Sequence, residues 1–339
     1  MQLTMVHTKR NKHGGLTHKV TALLSFFLLL FLLWAHASAT AQELKLTPTQ
    51  VGEHSYYFQG ASEMASAENA GFMSNAGFVV TEDGVVVFDV LGTPALGQAM
   101  IDAIAEVTDQ PIKLVIISHY HADHFYGLQA FRDLGVESWG HTDGQLYLNS
   151  DLAQERLEQR RADLAPWVDE QTELLAVDQW LEFPEDGIIE FEMGGLQFVL
   201  YDVGGAHSPE DIMLYVPADD LLFAGDLFFT GRIPFVGDAD SKAWLAALDR
   251  MLEIEPKRVV PGHGPDSLQP EEDVVLTRDY LIFLREQLSD AVEEMMDFDT
   301  AYDRIDWSRF ENEPAFESAN RINAYGQYLV LERESLENF

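Results

Sequence analysis

Four apolar runs in this chain each lead into a histidine or an aspartate, and that repetition limits the folds open to it more than any other feature. Residues 112–118 (IKLVIIS) run directly into H-Y-H-A-D-H at 119–124. Residues 196–203 (LQFVLYDV) lead through two glycines to His207, residues 221–226 (LLFAGD) end on Asp226, and residues 258–264 (RVVPGHG) carry His263. Short apolar runs bounded by glycine and turn residues read as buried strands. A chain that sets the same polar residue types just past several strand ends calls for a sheet architecture in which those ends converge on one edge.

The rest of the pattern fills in that architecture. Residues 77–81 (GFVVT) and 84–90 (GVVVFDV) read as paired strands joined by a turn at Glu82, Asp83 and Gly84. Thr93 and Pro94 open a helix, threonine as N-cap and proline at the first helical position. Leu96, Met100, Ile104 and Val107 give that helix one apolar face. A charged helical region covers about 143–163, and strands follow at 187–193 and 212–216. A helix over 241–253 has Trp244, Leu245, Leu248 and Leu252 as its apolar stripe. Pro270, then Glu271, Glu272 and Asp273, start a long helix with acids where its dipole favours them. Its apolar face runs through Leu281, Leu284, Leu288, Val292 and Met295, and residues 297–339 are mixed and polar, with helix near the end. No internal repeat or low-complexity linker divides the chain. The pattern predicts an α/β domain over 42–268 with a C-terminal helical extension over 269–339.

The first 41 residues stand apart. Lys9, Arg10, Lys12 and Lys19 precede an apolar run from Val20 to Trp34, and small residues follow, with A-x-A sites at 37–39 and 39–41. This is the layout of a secretory signal peptide, and the run is shorter than the roughly 20 residues a membrane span needs. The expectation is cleavage before Gln42, a periplasmic or secreted location, and no stable membrane association after cleavage. The chain has no cysteine, which removes disulfides, lipidation and thiolate ligands. A net charge of −36 repels nucleic acid and anionic lipid and leaves a small molecule as the expected partner.

Of the 11 histidines, seven lie beyond the leader, and three of those are His119, His121 and His124. Side chains at i and i+2 of an extended segment point the same way, so His119 and His121 can hold one cation together. Asp123 and His124 fall past the strand end, where the chain turns toward a second position. Imidazole and carboxylate donors suit zinc, and also manganese or iron. One strand end does not complete two coordination shells; His207, Asp226 and His263 supply further donors in matching contexts.

Taken as an ordered set, H-x-H-x-D-H, a histidine after G-G-x, G-D after an apolar strand, and P-G-H-G resemble the metallo-β-lactamase superfamily over about 78–264. The resemblance implies a four-layer αββα sandwich with a dinuclear metal site, two Zn2+ per chain, at one edge. It implies that His119, His121 and His207 hold the first metal and that Asp123, His124 and His263 hold the second. Asp226 would bridge the two, and Asp89 would play a structural role beside them. Two such cations about 3.5–4 Å apart lower the pKa of a shared water toward ~7. The resemblance implies that such a hydroxide would attack a polarised carbonyl or phosphoryl centre, with Asp123 orienting it or relaying its proton.

The fold does not set the substrate. An exported hydrolase of an ester, thioester, lactone or amide-type bond is the main expectation, and β-lactam hydrolysis is an alternative suggested by the leader. The bridging aspartate resembles glyoxalase II, whose glutathione thioesters fit an exported, acidic protein poorly. A mononuclear iron sulfur dioxygenase and a non-catalytic metal-binding protein complete the alternatives; His121 argues against the flavodiiron branch. Around the site, His141 is expected to be structural and His54 incidental. Met64, Phe72 and Met73, in a loop between early strands, are candidates to touch substrate. Phe228, Phe229 and Phe235 are candidates to wall the pocket, and Arg232 to pair with a substrate carboxylate.

Overall fold

A computed structural model describes residues 44–237 and 239–337. The leader and its A-x-A sites lie outside the described residues. Twelve strands among the described residues form two sheets. The first holds seven in chain order: β1 (Thr49–Gln50), β2 (Ser55–Phe58), β3 (Ala76–Val80), β4 (Val85–Phe88), β5 (Ile112–Ile116), β6 (Glu137–His141) and β7 (Gln179–Leu181). The second holds β8 (Ile188–Met193), β9 (Leu196–Asp202), β10 (Ile212–Val216), β11 (Leu221–Phe223) and β12 (Arg258–Val260), in the order β12-β11-β10-β9-β8.

Alternation along the strands builds the layers. In β4, Val86 and Phe88 face the second sheet, where they meet Phe198, Leu200, Leu214, Phe223 and Val260. The intervening Val85 and Val87 point to the outside, into a cluster with Leu96, Met100 and Ile104 of helix α1 (Pro94–Val107). That period of two is the reason the run reads as continuously apolar: both faces are covered. The second sheet repeats the arrangement, with Met213, Leu222 and Val259 packing outward on Trp244, Leu248 and Met251. Each such aliphatic side chain contributes about 1.5–3 kcal/mol relative to exposure. The result is the expected αββα order of layers.

Helix boundaries follow local chemistry. Thr93 caps α1 by accepting the Leu96 N–H at 3.2 Å. The single charged helix expected over 143–163 is two, α4 (Gly144–Leu148) and α5 (Asp151–Asp163), because Ser150 breaks the run and caps the second through Ala153 N–H. The short helices α2 (Ala122–Phe125) and α3 (Leu128–Asp133) precede them. In α6 (Ser241–Glu253), Trp244, Ala247, Leu248 and Met251 are the buried apolar residues, so the stripe is rotated from the expected one and Leu245 and Leu252 are half-buried. Helix α7 (Pro270–Glu293) buries Leu281, Leu284 and Leu288 as expected. Met295 is not part of that face: the chain leaves the helix at a φ of 53°, and the side chain is 91 % exposed.

Helices α8 (Phe298–Arg304) and α9 (Phe316–Glu337) complete the outer layer on the second sheet's side. Asn323 of α9 ties it down, donating to the Pro234 carbonyl and accepting the Val236 N–H, both at 2.8 Å. The C-terminal helices thus share one apolar cluster with α6 and α7.

Strand direction positions the site. β4 to β7 run parallel, as do β11 and β12, while β9 and β11 each pair antiparallel with β10 and so point the same way. The segments that follow β4, β5, β9, β11 and β12 therefore meet at one edge. Two backbone bonds join the sheets there: Ile212 N–H to the Ser118 carbonyl at 3.0 Å, and Asn75 N–H to the Gly262 carbonyl at 2.7 Å.

Candidate metal centre

At that edge the polar residues singled out in the sequence come together as two neighbouring groups. His119, His121, His207 and Asp226 form one, and Asp123, His124 and His263 the other, with the donor atoms of each group within 4.8 Å of one another. Asp226 lies between them. Its Oδ2 is 3.4 Å from His207 Nε2, 3.3 Å from His263 Nε2 and 4.0 Å from His119 Nε2, and its Oδ1 is 3.0 Å from His124 Nε2. Asp123 Oδ2 lies 3.3 Å from His263 Nε2 and 3.7 Å from His124 Nε2.

Each inward atom is set by an outward one. Asp89, ending the β4 segment at a φ of 61°, accepts the Ser118 N–H and hydroxyl, both at 2.8 Å, and its Oδ2 is 2.8 Å from His124 Nδ1. Ser118 Oγ in turn is 2.9 Å from His119 Nδ1. His263 Nδ1 donates to the Met73 carbonyl at 2.8 Å. With the outer nitrogens occupied, Nε2 of all three rings faces the site, the orientation that metal-binding histidines adopt. Gly262 makes the approach feasible: a Cβ there would fall 1.9 Å from Asp226 Oδ1.

The donor set fits divalent cations. His119 Nε2, His124 Nε2 and Asp226 Oδ1 are buried without a hydrogen-bond partner among the described residues, even though the last two are near each other, because they are not aligned for a bond. His121 Nδ1 and His207 Nε2 are 2.8 Å apart, a pair in which only one nitrogen can carry a proton. Buried polar atoms left open cost about 1–3 kcal/mol each, and a cation on these lone pairs removes that cost. Burial, reinforced by neighbouring histidines, holds the His119 imidazole well below its ordinary pKa. Burial also lowers His121, and it brings His207 to about 3, keeping these rings neutral as ligands must be. For His124 and His263 burial acts in the same sense, but the carboxylates of Asp226 and Asp123, joined at His124 by Asp89, outweigh it. Burial opposes ionisation of Asp226, yet the rings around it hold its carboxyl well below the usual range.

A cavity of about 460 Å³ opens beside His121 and His207, walled by Tyr147, Leu146, Leu152, Pro209, Glu210 and Asp240 among others. The aromatic residues expected to wall it lie elsewhere. Phe228 and Phe229 are fully buried, Phe229 stacking on the His263 ring at 5.1 Å, and Phe235 is partly buried against the same outer cluster. Arg232 is also buried, its guanidinium 3.4 Å from the Ser62 carbonyl and 3.8 Å from Met64 Sδ, and it is absent from the cavity wall. Met73 contributes its carbonyl to His263, while Met64 and Phe72 are not in that wall. His141 stacks on Phe183 at the end of β6, outside both groups, and His54 bonds to Asp219 through its backbone N–H.

Sequence reasoning did not reach Asn75. Buried in the loop after β2, it donates to the Pro261 and Gly264 carbonyls at 2.8 Å and accepts the Gly60 N–H at 3.0 Å, clamping the turn that carries His263. Nor did it reach Ser118, although its place immediately before His119 is a signal, or Glu210, three residues after His207.

Comparison with known proteins agrees with the geometry. Residues 69–263 match the family model described as the metallo-beta-lactamase superfamily. The chain is 23 % identical over 251 residues to a metallo-beta-lactamase type 2 of Bacteroides fragilis, covering 70 % of this chain and 88 % of that one. It is 22 % identical over 241 residues to a linear primary-alkylsulfatase of a Pseudomonas species, covering 60 % of this chain and 44 % of that protein. Among solved structures, the sec-alkylsulfatase Pisa1 from Pseudomonas superposes with a TM-score of 0.64 at 16 % identity, over 84 % of this chain and 50 % of that one.

Proposed function

The chain belongs to the metallo-beta-lactamase superfamily, whose members are metal-dependent hydrolases, and from that premise we propose that it is a dinuclear zinc enzyme cleaving an ester, thioester, lactone or amide-type bond. The observation that carries the proposal is the position of Asp226, one carboxylate within 4.0 Å of histidines from both groups. His119, His121 and His207 would hold one cation, Asp123, His124 and His263 the other, and Asp226 both. When bound, such a pair supplies a water acidic enough to be hydroxide near neutral pH and polarises the bond to be cleaved. Asp123 would orient that water or relay its proton, a reading supported by its side chain's 15 % exposure against 4 % for Asp226. Phe229 and Trp244 keep bulk water from the back of His263 and His207.

Within this class the cavity wall favours some substrates over others. Among the described residues it contains no lysine or arginine, which disfavours sulfate esters, the substrates named for the Pseudomonas relatives. β-Lactam hydrolysis, the activity named for the Bacteroides relative, is the second reading and is supported by that relative's coverage of most of its length. Export through the N-terminal segment and action on a small soluble molecule belong to the same proposal, supported by the leader's composition and the charge of −36.

The test is elemental analysis of protein purified without added metal, followed by hydrolysis assays on lactones, thioesters, esters and β-lactams before and after chelation. Two zinc ions per chain and activity restored by zinc are expected. A single iron would sink the hydrolase reading in favour of oxygen chemistry, and no bound metal would sink it outright.

A further inference from the structure

We propose that the cavity beside His121 and His207 binds an ammonium group of the substrate, with Glu210 as the acceptor, so that the enzyme selects amino-bearing substrates. The inference rests on the hydrolase reading above and narrows its substrate class.

Glu210 carries the argument. It is 3 % exposed and lines the cavity. Its Oε1 accepts the Tyr120 N–H at 3.1 Å, while its Oε2 is buried with no hydrogen-bond partner among the described residues. Accepting a backbone N–H favours the ionised form, yet burial outweighs it and raises the Glu210 carboxyl pKa, with Asp143 adding to the rise and the Ser208 hydroxyl opposing it. A buried carboxylate oxygen left open is costly, and an ionised donor is the partner that relieves it most.

The surroundings have the same sign. Asp143 and Asp240 share the wall with Glu210, and among the described residues neither lysine nor arginine lies in it. Asp240 is already engaged as the cap of α6 through the Lys242 and Ala243 N–H groups, and Asp143 is half exposed beside His141, which leaves Glu210 as the open acceptor. Burial raises the Tyr147 phenol, and Arg156 and Arg160 are near enough to offset part of that rise, as Arg156 is to act on His121; both stand outside the wall, and Arg156 bonds to Gln159. Leu146, Tyr147, Leu152 and Pro209 line the same cavity with apolar surface. An amine on a short hydrocarbon stem satisfies both requirements while the bond to be cleaved sits at the metals.

Thiols test this without knowledge of the substrate, because sulfur seeks zinc and the rest of the molecule then samples the cavity. The zinc-loaded full chain is titrated calorimetrically with cysteamine and 3-aminopropanethiol, with ethanethiol and 1-propanethiol, and with 3-mercaptopropionate. Aminothiols are expected to bind at least about 10-fold more tightly than their neutral counterparts, with the mercaptocarboxylate weakest. In Glu210→Gln the preference should fall to near parity with neutral-thiol affinity and zinc content unchanged. Equal affinities in the wild type, or a preference that survives E210Q, would overturn the proposal. Because an ammonium also acidifies its own thiol and the free amine can chelate zinc, the preference is read as the ratio between wild type and Glu210→Gln, with Glu210→Ala as the second variant if Glu210→Gln fails to fold. Failure of every thiol to bind a chain that holds zinc would also overturn it, whereas failure to hold zinc at all would overturn the hydrolase reading with it.

Discussion

The carboxylate of Asp89 lies 2.8 Å from Nδ1 of His124, and this contact aims the ring's other nitrogen at Asp226. The same carboxylate holds Ser118, and through it His119. One residue outside both donor groups therefore orients a ring in each.

Asp89→Asn should separate orientation from charge. Asparagine tolerates the left-handed backbone found here, where φ is 61°, so the fold is retained. The weaker partner for His124 should lower affinity for the cation held by Asp123, His124 and His263 by about 10–100-fold. Competition with a chromophoric chelator reads this directly. Release of both metals at wild-type affinity would show that the contact is only structural.

Asn75→Ala removes the clamp on the turn carrying His263. Two buried carbonyls and one N–H lose their partner, at about 1–3 kcal/mol each before relaxation. We expect urea unfolding to show a net loss of about 2–4 kcal/mol. Asn75→Asp should be no better, because a carboxylate offers no donor to the two carbonyls. A change below about 1 kcal/mol in both variants would mean that the turn holds itself.

These two residues mark the boundary of what could be read from the sequence. The donors were legible because each falls at a strand end, a local signal repeated four times and marked by glycine at three of them, and the layers followed from apolar runs long enough to show their period. The break between α4 and α5 also had a local signal, Ser150 followed by Asp151, which the surrounding charge obscured. Asn75 had none: its partners are 186 and 189 residues away, and nothing in its neighbourhood distinguishes it from a loop asparagine. Glu210 looked like one acid among 57 acidic residues; only its burial and open oxygen set it apart. β2 and β7 are too short to display alternation.

Asp211 gives a pH dependence of defined sign. It accepts N–H bonds from Ser208 and Ala206 and the Ser208 hydroxyl, yet burial pushes its carboxyl up to about 7. The unfolded chain releases this proton near 3.9. Between those values the folded state holds the proton and the unfolded state does not. The stabilising contribution is therefore fully present below about 3.9 and is lost as pH rises through 7, a change on the order of 4 kcal/mol. Comparing wild type with Asp211→Asn by urea unfolding from pH 5 to 8 isolates it from other titrations. The wild type should gain on the variant as pH falls, and a difference independent of pH would contradict the assignment.

Gly262→Ala tests the bridging position of Asp226 by a single carbon. The added Cβ would lie 1.9 Å from Asp226 Oδ1 and 2.7 Å from the Gly225 carbonyl carbon. The backbone at 262 has little room to retreat: its N–H is held by the Gly225 carbonyl and its carbonyl by the Asn75 N–H. The Asp226 side chain must therefore turn away, and the Gly225 backbone beside it must shift. Overpacking of this kind costs about 1–3 kcal/mol, which leaves the chain folded, while the carboxylate common to both donor groups is displaced. Zinc content should fall below that of the wild type, and hydrolysis of any identified substrate should drop by at least about 100-fold. Gly135→Ala is the control. Its φ is 71° with nothing within 4 Å, so it should cost about 1–2 kcal/mol in backbone strain and leave the metal content unchanged. Equal zinc content in G262A and G135A would show that Asp226 is not needed to hold the second cation, and the dinuclear reading would have to be given up.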